Sequence, residues 1–455
     1  MAFVSIDPST GQKLASYREH SAKQAAALLA RSHAAFEAWR STSLRERSRV
    51  LRHVARSLLR RREELARLIT DEMGKPLAQS RAEIEKSALG CEFYAAHAAE
   101  FLSPRRPPHA PPNARVTFSP LGPVLAIMPW NFPFWQTLRA AAPTLMAGNT
   151  FLLKPAPATG GCGHALASLF DDARIPPDLF LTLLVDTPVV EKLIADPRLA
   201  AVTLTGSTRA GKSVAALAGA AMKPATFELG GSDAYLIFDD ADLDLAAAIC
   251  AQSRLINSGQ SCIAAKRFLV VRRIRREFER RFVEKIKAAR LGSPLDPATT
   301  VGPLARADLR DQLHAQVQRS LARGARVLLE GGPLADRPGF FYAPVVLTNV
   351  APGMPAFDEE LFGPVAAIVP VRDESEAIRL ANTSAYGLGA GVFTRSRTRA
   401  QRVAAQLQAG SVAINDFVRS DPSLPFGGVK DSGVGRELAE WGLHAFTNIK
   451  TITTA

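Results

Sequence analysis

Cys262 follows a small polar turn, Asn257-Ser-Gly-Gln-Ser261, and precedes an apolar stretch that begins at Phe268. A thiol on such a turn has few bulky neighbours and can be approached by a substrate; as a thiolate it is a good nucleophile. A buried structural cysteine is the plain alternative. Glu228 stands between Phe227 and Leu229-Gly-Gly231, where apolar neighbours can raise its pKa and make it a general base. Asn131 lies in Pro-Trp-Asn-Phe-Pro (129–133), a stiff turn in which a side-chain amide can stabilise a developing oxyanion. Lys154 precedes Pro155, where its ammonium can meet hydroxyls or phosphate, and Glu360-Leu-Phe-Gly-Pro364 sets a carboxylate and an aromatic before a strand. Read singly, Asn131 could bond its own backbone and Glu228 could be a strand-end carboxylate.

A second chemistry competes with this one. Gly-Ser-Thr-Arg-Ala-Gly-Lys-Ser (206–213) satisfies the phosphate-binding loop of nucleotide triphosphatases, and Tyr-Leu-Ile-Phe-Asp (235–239) could supply the acid that holds magnesium. That reading leaves Cys262 without a role, and the loop lies beyond three other strand–loop units. A Gly-Ser pair opening a helix presents N–H groups to any phosphate, a dinucleotide's pyrophosphate included.

These residues must be positioned by an α/β framework. Helices are expected over 21–39, from the capping box at Ser43-Leu-Arg-Glu46 to about 69, and over 77–101. Prolines in 104–112 break the pattern, and 114–119 reads as extended. Strands at 124–128, 150–153, 201–205 and 225–229 alternate with helices. A second series has strands at 235–238, 267–271, 326–330, 365–371, 389–394 and 411–415, with helices near 243–257, 275–290, 306–323, 374–382 and 397–408. Such alternation implies parallel sheets covered by helices, with function in loops at the carboxyl ends of strands.

The 455 residues suit two or three domains, and 47% hydrophobic with 22% charged residues excludes a disordered chain. Four scattered cysteines make neither a disulfide framework nor a zinc site, so no metal is expected. With no signal-like N-terminus and no membrane-length apolar run, a cytoplasmic protein is expected. The net charge of +13 invites nucleic acid, but the basic residues are dispersed, and 272–281 is interleaved with Glu277 and Glu279. Attraction of small anions is the expectation, with neither nucleic acid nor membrane as partner.

Pro-Trp-Asn-Phe-Pro, Thr-Gly-Ser, Glu-Leu-Gly-Gly, Gly-Gln-Ser-Cys, Glu-x-Phe-Gly-Pro and Pro-Phe-Gly-Gly-Val-Lys-x-Ser-Gly (425–433) occur here in the order of the aldehyde dehydrogenase superfamily. The chain resembles that family from about 120 to its end. Gly-Gln-Ser-Cys-Ile-Ala-Ala-Lys-Arg-Phe and Glu-Leu-Gly-Gly-Ser-Asp look like the short bacterial succinate-semialdehyde dehydrogenase type. The resemblance implies two parallel-sheet α/β domains and a small β flap for oligomerisation. Residues 1–103 and 122–229 would bind the dinucleotide, 230–430 would carry Cys262, and 104–121 with 431–455 would join subunits into a homodimer or homotetramer. It implies Cys262 as nucleophile, Asn131 and the Cys262 N–H as oxyanion donors, and Glu228 as the base that activates water. Gly206 and Ser207 would sit at the pyrophosphate of NADP or NAD, with Trp130, Asn131, Lys154, Leu229, Glu360 and Phe362 lining the rest of the cleft. NAD-preferring relatives carry a Glu where this chain has Pro157, so NADP is expected to serve at least as well as NAD.

The expected substrate is a small aldehyde with a distal carboxylate, succinate semialdehyde first and glutarate semialdehyde second. Arg139 lies eight residues after Asn131. That is a little over two helical turns, which returns it to nearly the same face. Relatives that take neutral aldehydes tend to be apolar or aromatic there, whereas a guanidinium suits a carboxylate. Trp135 would wall the intervening methylenes, and Ser420 would add a hydrogen bond.

Overall fold

Both expected series build parallel sheets. In the computed structural model, which describes residues 3–171 and 174–454, the first sheet has six strands. Their order is Gly433–Val434, Ala225–Glu228, Ala201–Thr205, Pro123–Ile127, Thr150–Lys154 and Phe180–Thr182. All neighbours run parallel except Gly433–Val434, which closes one edge antiparallel to Ala225–Glu228. From the central Pro123–Ile127 strand the chain goes first to one side and then to the other. The switch point therefore lies between that strand and Ala201–Thr205. The loops leaving these two strands carry Trp130–Asn131 and Gly206–Ser207 respectively, so the crevice that such a switch opens falls between them.

The second sheet has seven strands in the order Arg326–Leu329, Val345–Thr348, Val365–Val371, Arg267–Val271, Ala234–Ile237, Gly389–Phe393 and Ser411–Ile414. Only its outer pair, Arg326–Leu329 with Val345–Thr348, is antiparallel. Cys262 precedes Arg267–Val271 and so stands at the amino end of its strand, not at the carboxyl end that the general rule for such sheets suggests.

Helix Pro133–Ala147 connects site to core. Proline at its first turn suits a helix start, and Gly148 in the left-handed region ends it. All of its residues are buried, Gln136, Thr137, Arg139 and Thr144 included. It packs beneath helix Leu77–Phe101, which also covers Leu44–Arg60. A surface helix would show one apolar stripe; this one is enclosed all round, so its polar residues must find partners inside.

Several elements differ from expectation. The helix expected to run to about 69 is broken at Arg61 into Leu44–Arg60 and Arg62–Met73. The hairpin Phe3–Ile6/Lys13–Tyr17 and strand Val345–Thr348 carried too few residues to stand out as periodic patterns. The segment 431–455 is not one unit. Gly433–Val434 joins the first sheet, Ala439–His444 packs on Pro133–Ala147, and only Thr447–Thr453 pairs with Ala114–Pro120. That two-stranded ribbon is paired along its whole length and leaves Ile449 61% exposed. Among the described residues no helix is long and apolar enough to cross a membrane.

Candidate active site

The Cys262 turn is held by long-range bonds. Asn257, Ser258 and Gly259 have φ of 52°, 54° and 78°, three successive left-handed residues. Two of them carry side chains, at a cost of about 1–3 kcal/mol each. Their own polar groups fix the turn. Asn257 Nδ2 donates to the Asn131 carbonyl at 2.9 Å and to the Gln260 carbonyl at 3.0 Å, and Ser258 Oγ accepts from Gly302 N–H at 2.9 Å. Gln260 Oε1 accepts from Ala305 N–H at 2.9 Å. Gly259 is required for space as well as for φ, because a Cβ there would run into the Gly363 backbone. Beneath the turn the buried Lys266 ammonium donates to the carbonyls of Ser261, Cys262 and Ala264 at 2.8–3.1 Å. Asn131 Nδ2 donates to the Gln260 carbonyl at 3.1 Å, which brings the amide up against the Cys262 turn. The predicted nucleophile and oxyanion amide are thus brought together.

Cys262 is partly buried, whereas Cys91, Cys162 and Cys250 are fully buried. Burial pushes the Cys262 thiol up to about 12, with Lys266 opposing. It is a thiol at neutral pH in this state, and attack requires its proton to leave.

Glu228 ends strand Ala225–Glu228, and both of its carboxylate oxygens are buried without a hydrogen-bond partner among the described residues. Burial, and then the neighbouring Glu437, push its pKa up to about 8, against Arg139 and Arg436. The site tolerates it because residue 427 is glycine: a Cβ there would stand 2.7 Å from Glu228 Oε1.

Pro129, Trp130 and Asn131 line a cleft of about 440 Å3 together with Thr205 to Arg209, Leu229 and Gly230, Glu359, Glu360, Phe362 and Cys262. Trp130 and Phe362 meet edge-on at 5.7 Å. Glu360 Oε1 accepts from Gly231 N–H at 2.9 Å. Ser207 caps helix Thr208–Ala220, accepting from Ala210 N–H at 3.3 Å. The Gly206 N–H goes to the Glu228 carbonyl at 2.9 Å, so the N–H groups left for a phosphate are those of Thr208 and Arg209, beside the Arg209 cation. Gln136 also lines the cleft, and its Oε1 is buried with no hydrogen-bond partner among the described residues. A helix start, a basic residue and an orphaned acceptor fit an anionic dinucleotide. Lys154 and Pro157, expected in the cofactor cleft, do not line it: Lys154 ends strand Thr150–Lys154 with its ammonium 5.7 Å over the Phe3 ring, and Pro157 opens a short 3-10 turn. Gln136 and Glu437 lie in none of the motifs read from the sequence, and Arg209 and Lys266 lie inside quoted motifs without having been given a role; the fold carries all four to the site.

The triphosphatase alternative fails on placement. Lys212 is exposed and its ammonium is held by Asp431 at 2.9 Å. Residues 235–239 belong to the other sheet, and Asp239 pairs with Arg399 at 3.0 Å.

Arg139 is not the free guanidinium expected from its spacing. It is 4% exposed, its Nε lies 2.5 Å from Glu437 Oε2, and Nη2 donates to Thr205 Oγ1 at 3.3 Å. Its ring neighbour is Phe426, at 5.0 Å. Helical periodicity gave its face, but its acidic partner comes from a segment 298 residues further along the chain, which periodicity cannot show. Trp135 and Ser420 do meet, Trp135 Nε1 donating to Ser420 Oγ at 3.1 Å. Arg139→Ala is expected to lower the unfolding free energy by about 3–5 kcal/mol, because it strands buried Glu437. Urea unfolding checks this. Turnover of charged and uncharged aldehydes should fall together; a loss confined to carboxylate-bearing aldehydes would instead return Arg139 to direct substrate contact.

The aldehyde dehydrogenase family model matches residues 1–452. A succinate semialdehyde dehydrogenase of Escherichia coli K12, named for NAD(P)+, is 46% identical over 449 residues, covering 99% of this chain and 97% of that protein. The NADP+-named succinate-semialdehyde dehydrogenase 1 of Mycobacterium tuberculosis H37Rv is 43% identical over 458 residues, covering all of both. The structure of succinic semialdehyde dehydrogenase from Streptococcus pyogenes with NADP+ superposes with a TM-score of 0.96 at 36% identity, covering 99% of each chain. This chain belongs to the aldehyde dehydrogenase family.

Proposed function

We propose that the protein oxidises succinate semialdehyde to succinate with NADP or NAD, with glutarate semialdehyde as the next best substrate. The observation that carries this is the partly exposed Cys262, lining a dinucleotide-sized cleft with the Asn131 amide held against its turn. The names of relatives at 43–46% identity support the aldehyde. Once the Cys262 proton has passed to solvent, Sγ bonds to the aldehyde carbon as the carbonyl π pair moves onto oxygen, and the Asn131 amide with the Cys262 N–H holds the oxyanion of the resulting thiohemiacetal. The cleft residues Trp130, Glu360 and Phe362 and the 206–209 segment would hold NADP or NAD, which would supply the hydride acceptor for oxidation to the thioester. Glu228 takes a proton from the water that releases the acid. Leu229, Trp130 and Phe362 exclude solvent from the cleft. Association into dimers or tetramers through the exposed Ala114–Pro120/Thr447–Thr453 ribbon belongs to the same proposal.

The experiment is a panel of aldehydes with either cofactor, followed by the absorbance of reduced nicotinamide. Succinate semialdehyde should give the highest kcat/KM; a clear preference for an uncharged aldehyde would sink the substrate assignment. In the same assay NADP should serve at least as well as NAD. Residue 157 carries no carboxylate to repel a 2′-phosphate, and Lys154, three residues earlier in the chain, would attract it. Pro157→Glu is expected to shift the NADP/NAD ratio toward NAD by about tenfold, the equivalent of one repulsive charge contact. No shift would mean that the phosphate is read elsewhere.

A further inference from the structure

Lys86 lies in helix Leu77–Phe101, outside every motif above. One turn earlier on that helix, Glu83 Oε1 accepts the N–H groups of Phe134 and Trp135 at 2.9 and 3.1 Å. The Glu83 carboxylate thereby caps the start of the helix that follows Asn131. Residues three apart share a helix face, so Lys86 is directed along the same contact. Its Nζ lies 4.5 Å over the Trp135 ring and donates to Ser420 Oγ at 2.9 Å. Ser420 Oγ also accepts from Trp135 Nε1 at 3.1 Å. A hydroxyl has two lone pairs and one proton. Both lone pairs are occupied by these donors, and the Ser420 proton has no acceptor among the described residues.

Lys86 is in the same position. It has three N–H groups, of which Ser420 takes one, and no carboxylate stands within ion-pair distance among the described residues. The acids nearby are engaged: Glu83 with the Pro133–Ala147 helix start and with Lys75, and Asp421 with Ser423. Arg419 is paired to Asp416 at 2.5 Å. Arg139, the other cation of the region, already holds Glu437. An ammonium and a hydroxyl proton therefore converge beside an indole face with no acceptor of their own. A carboxylate completes both, and methylenes attached to it would lie along Trp135. Trp135 stands four residues after Asn131, in the first turn of helix Pro133–Ala147, on the segment that leaves the Asn131 amide.

We propose that Lys86, with Ser420, reads the distal carboxylate of the substrate. This inference rests on the substrate assignment made above. Burial pushes the Lys86 ammonium down to about 8, Arg139 and Arg419 adding to this and Asp421 and Glu83 opposing it. A carboxylate ligand restores the missing counter-charge.

The test compares kcat/KM for succinate semialdehyde and for butanal in the native enzyme, Lys86→Met, Lys86→Arg and Ser420→Ala. Lys86→Met should reduce the succinate semialdehyde value about 10–100-fold, the range for a lost charged hydrogen bond, through KM more than kcat. Butanal should lose far less, Lys86→Arg should recover most of the loss, and Ser420→Ala should fall between. In the native enzyme the ratio of the two substrates should decline as pH rises through about 8, a decline absent in Lys86→Met; Cys262 and Glu228 act on both substrates, so their titrations cancel in the ratio. Equal losses for both substrates, or none for either, overturn the role of Lys86 while the native preference for succinate semialdehyde keeps the substrate assignment standing. A native enzyme with no such preference removes both. If Lys86→Met does not fold, the native pH profile decides: a flat ratio overturns the proposal.

Discussion

Cys262→Ala is expected to abolish aldehyde oxidation, leaving no more than a trace of turnover, while binding of NADP, followed by quenching of protein fluorescence, persists. Covalent catalysis has no substitute for its nucleophile. The cofactor contacts come from Trp130, the 205–209 segment, Glu360 and Phe362, which the substitution leaves in place. The other three cysteines provide an internal control. Burial raises the thiols of Cys91, Cys162 and Cys250, Cys91 to about 12, and none of them reaches the surface. Replacing each by Ala should keep activity, and iodoacetamide followed by peptide mapping should mark Cys262 first. Alkylation should be slow at neutral pH without cofactor, since the thiol is protonated there. Substantial turnover by Cys262→Ala would exclude a thioester route.

The contiguous parts of this site were legible in the sequence because each is a short local signal. Pro-Trp-Asn-Phe-Pro marks a stiff turn, Gly-Ser opens a helix, and the run before Cys262 is too small and polar to continue one. Most of the longer strands of both sheets follow from apolar runs bounded by turn residues, and their alternation with helices predicts parallel α/β sheets, whereas the short strands Phe180–Thr182, Val345–Thr348 and Gly433–Val434 give no such signal. What was not legible depends on residues far apart in the chain. Three left-handed residues at 257–259 are possible only because Asn131, Gly302 and Gly363 meet them in space. Lys266 reads as an ordinary surface lysine until it is seen beneath three carbonyls. Arg139 was assigned to the right face of its helix and the wrong occupancy, since Glu437 is reached only through the closing edge strand Gly433–Val434. Lys86 carried no signal at all: in a chain with 56 Lys and Arg residues, one more on a helix is unremarked.

Glu228→Gln is expected to slow steady-state turnover by about 10²–10⁴-fold, the contribution typical of a general base. Rapid mixing should still show a burst of reduced nicotinamide near one equivalent per active site, because bond formation at Cys262 and oxidation precede the step that Glu228 serves. Loss of the burst would instead assign Glu228 to removal of the Cys262 proton. The native pH profile carries the same information. With a pKa near 8, Glu228 is a carboxylic acid at neutral pH, and deacylation should rise as pH increases through about 8 and then level off. Stability runs the other way. Because the folded-state pKa lies above the ordinary carboxyl value of 4.5, the fold favours the protonated form. The native protein is therefore free of this penalty below about pH 4.5 and loses stability progressively as pH rises toward 8. Glutamine cannot ionise and keeps the shape. The variant should therefore melt above the native enzyme at pH 8, with the gap closing as pH falls toward 5. A slower enzyme that is also more stable at pH 8 would show that the buried carboxylate is retained for catalysis at a cost to the fold. A variant that melts lower at every pH would mean that Glu228 holds the two sheets together and that its effect on rate is indirect.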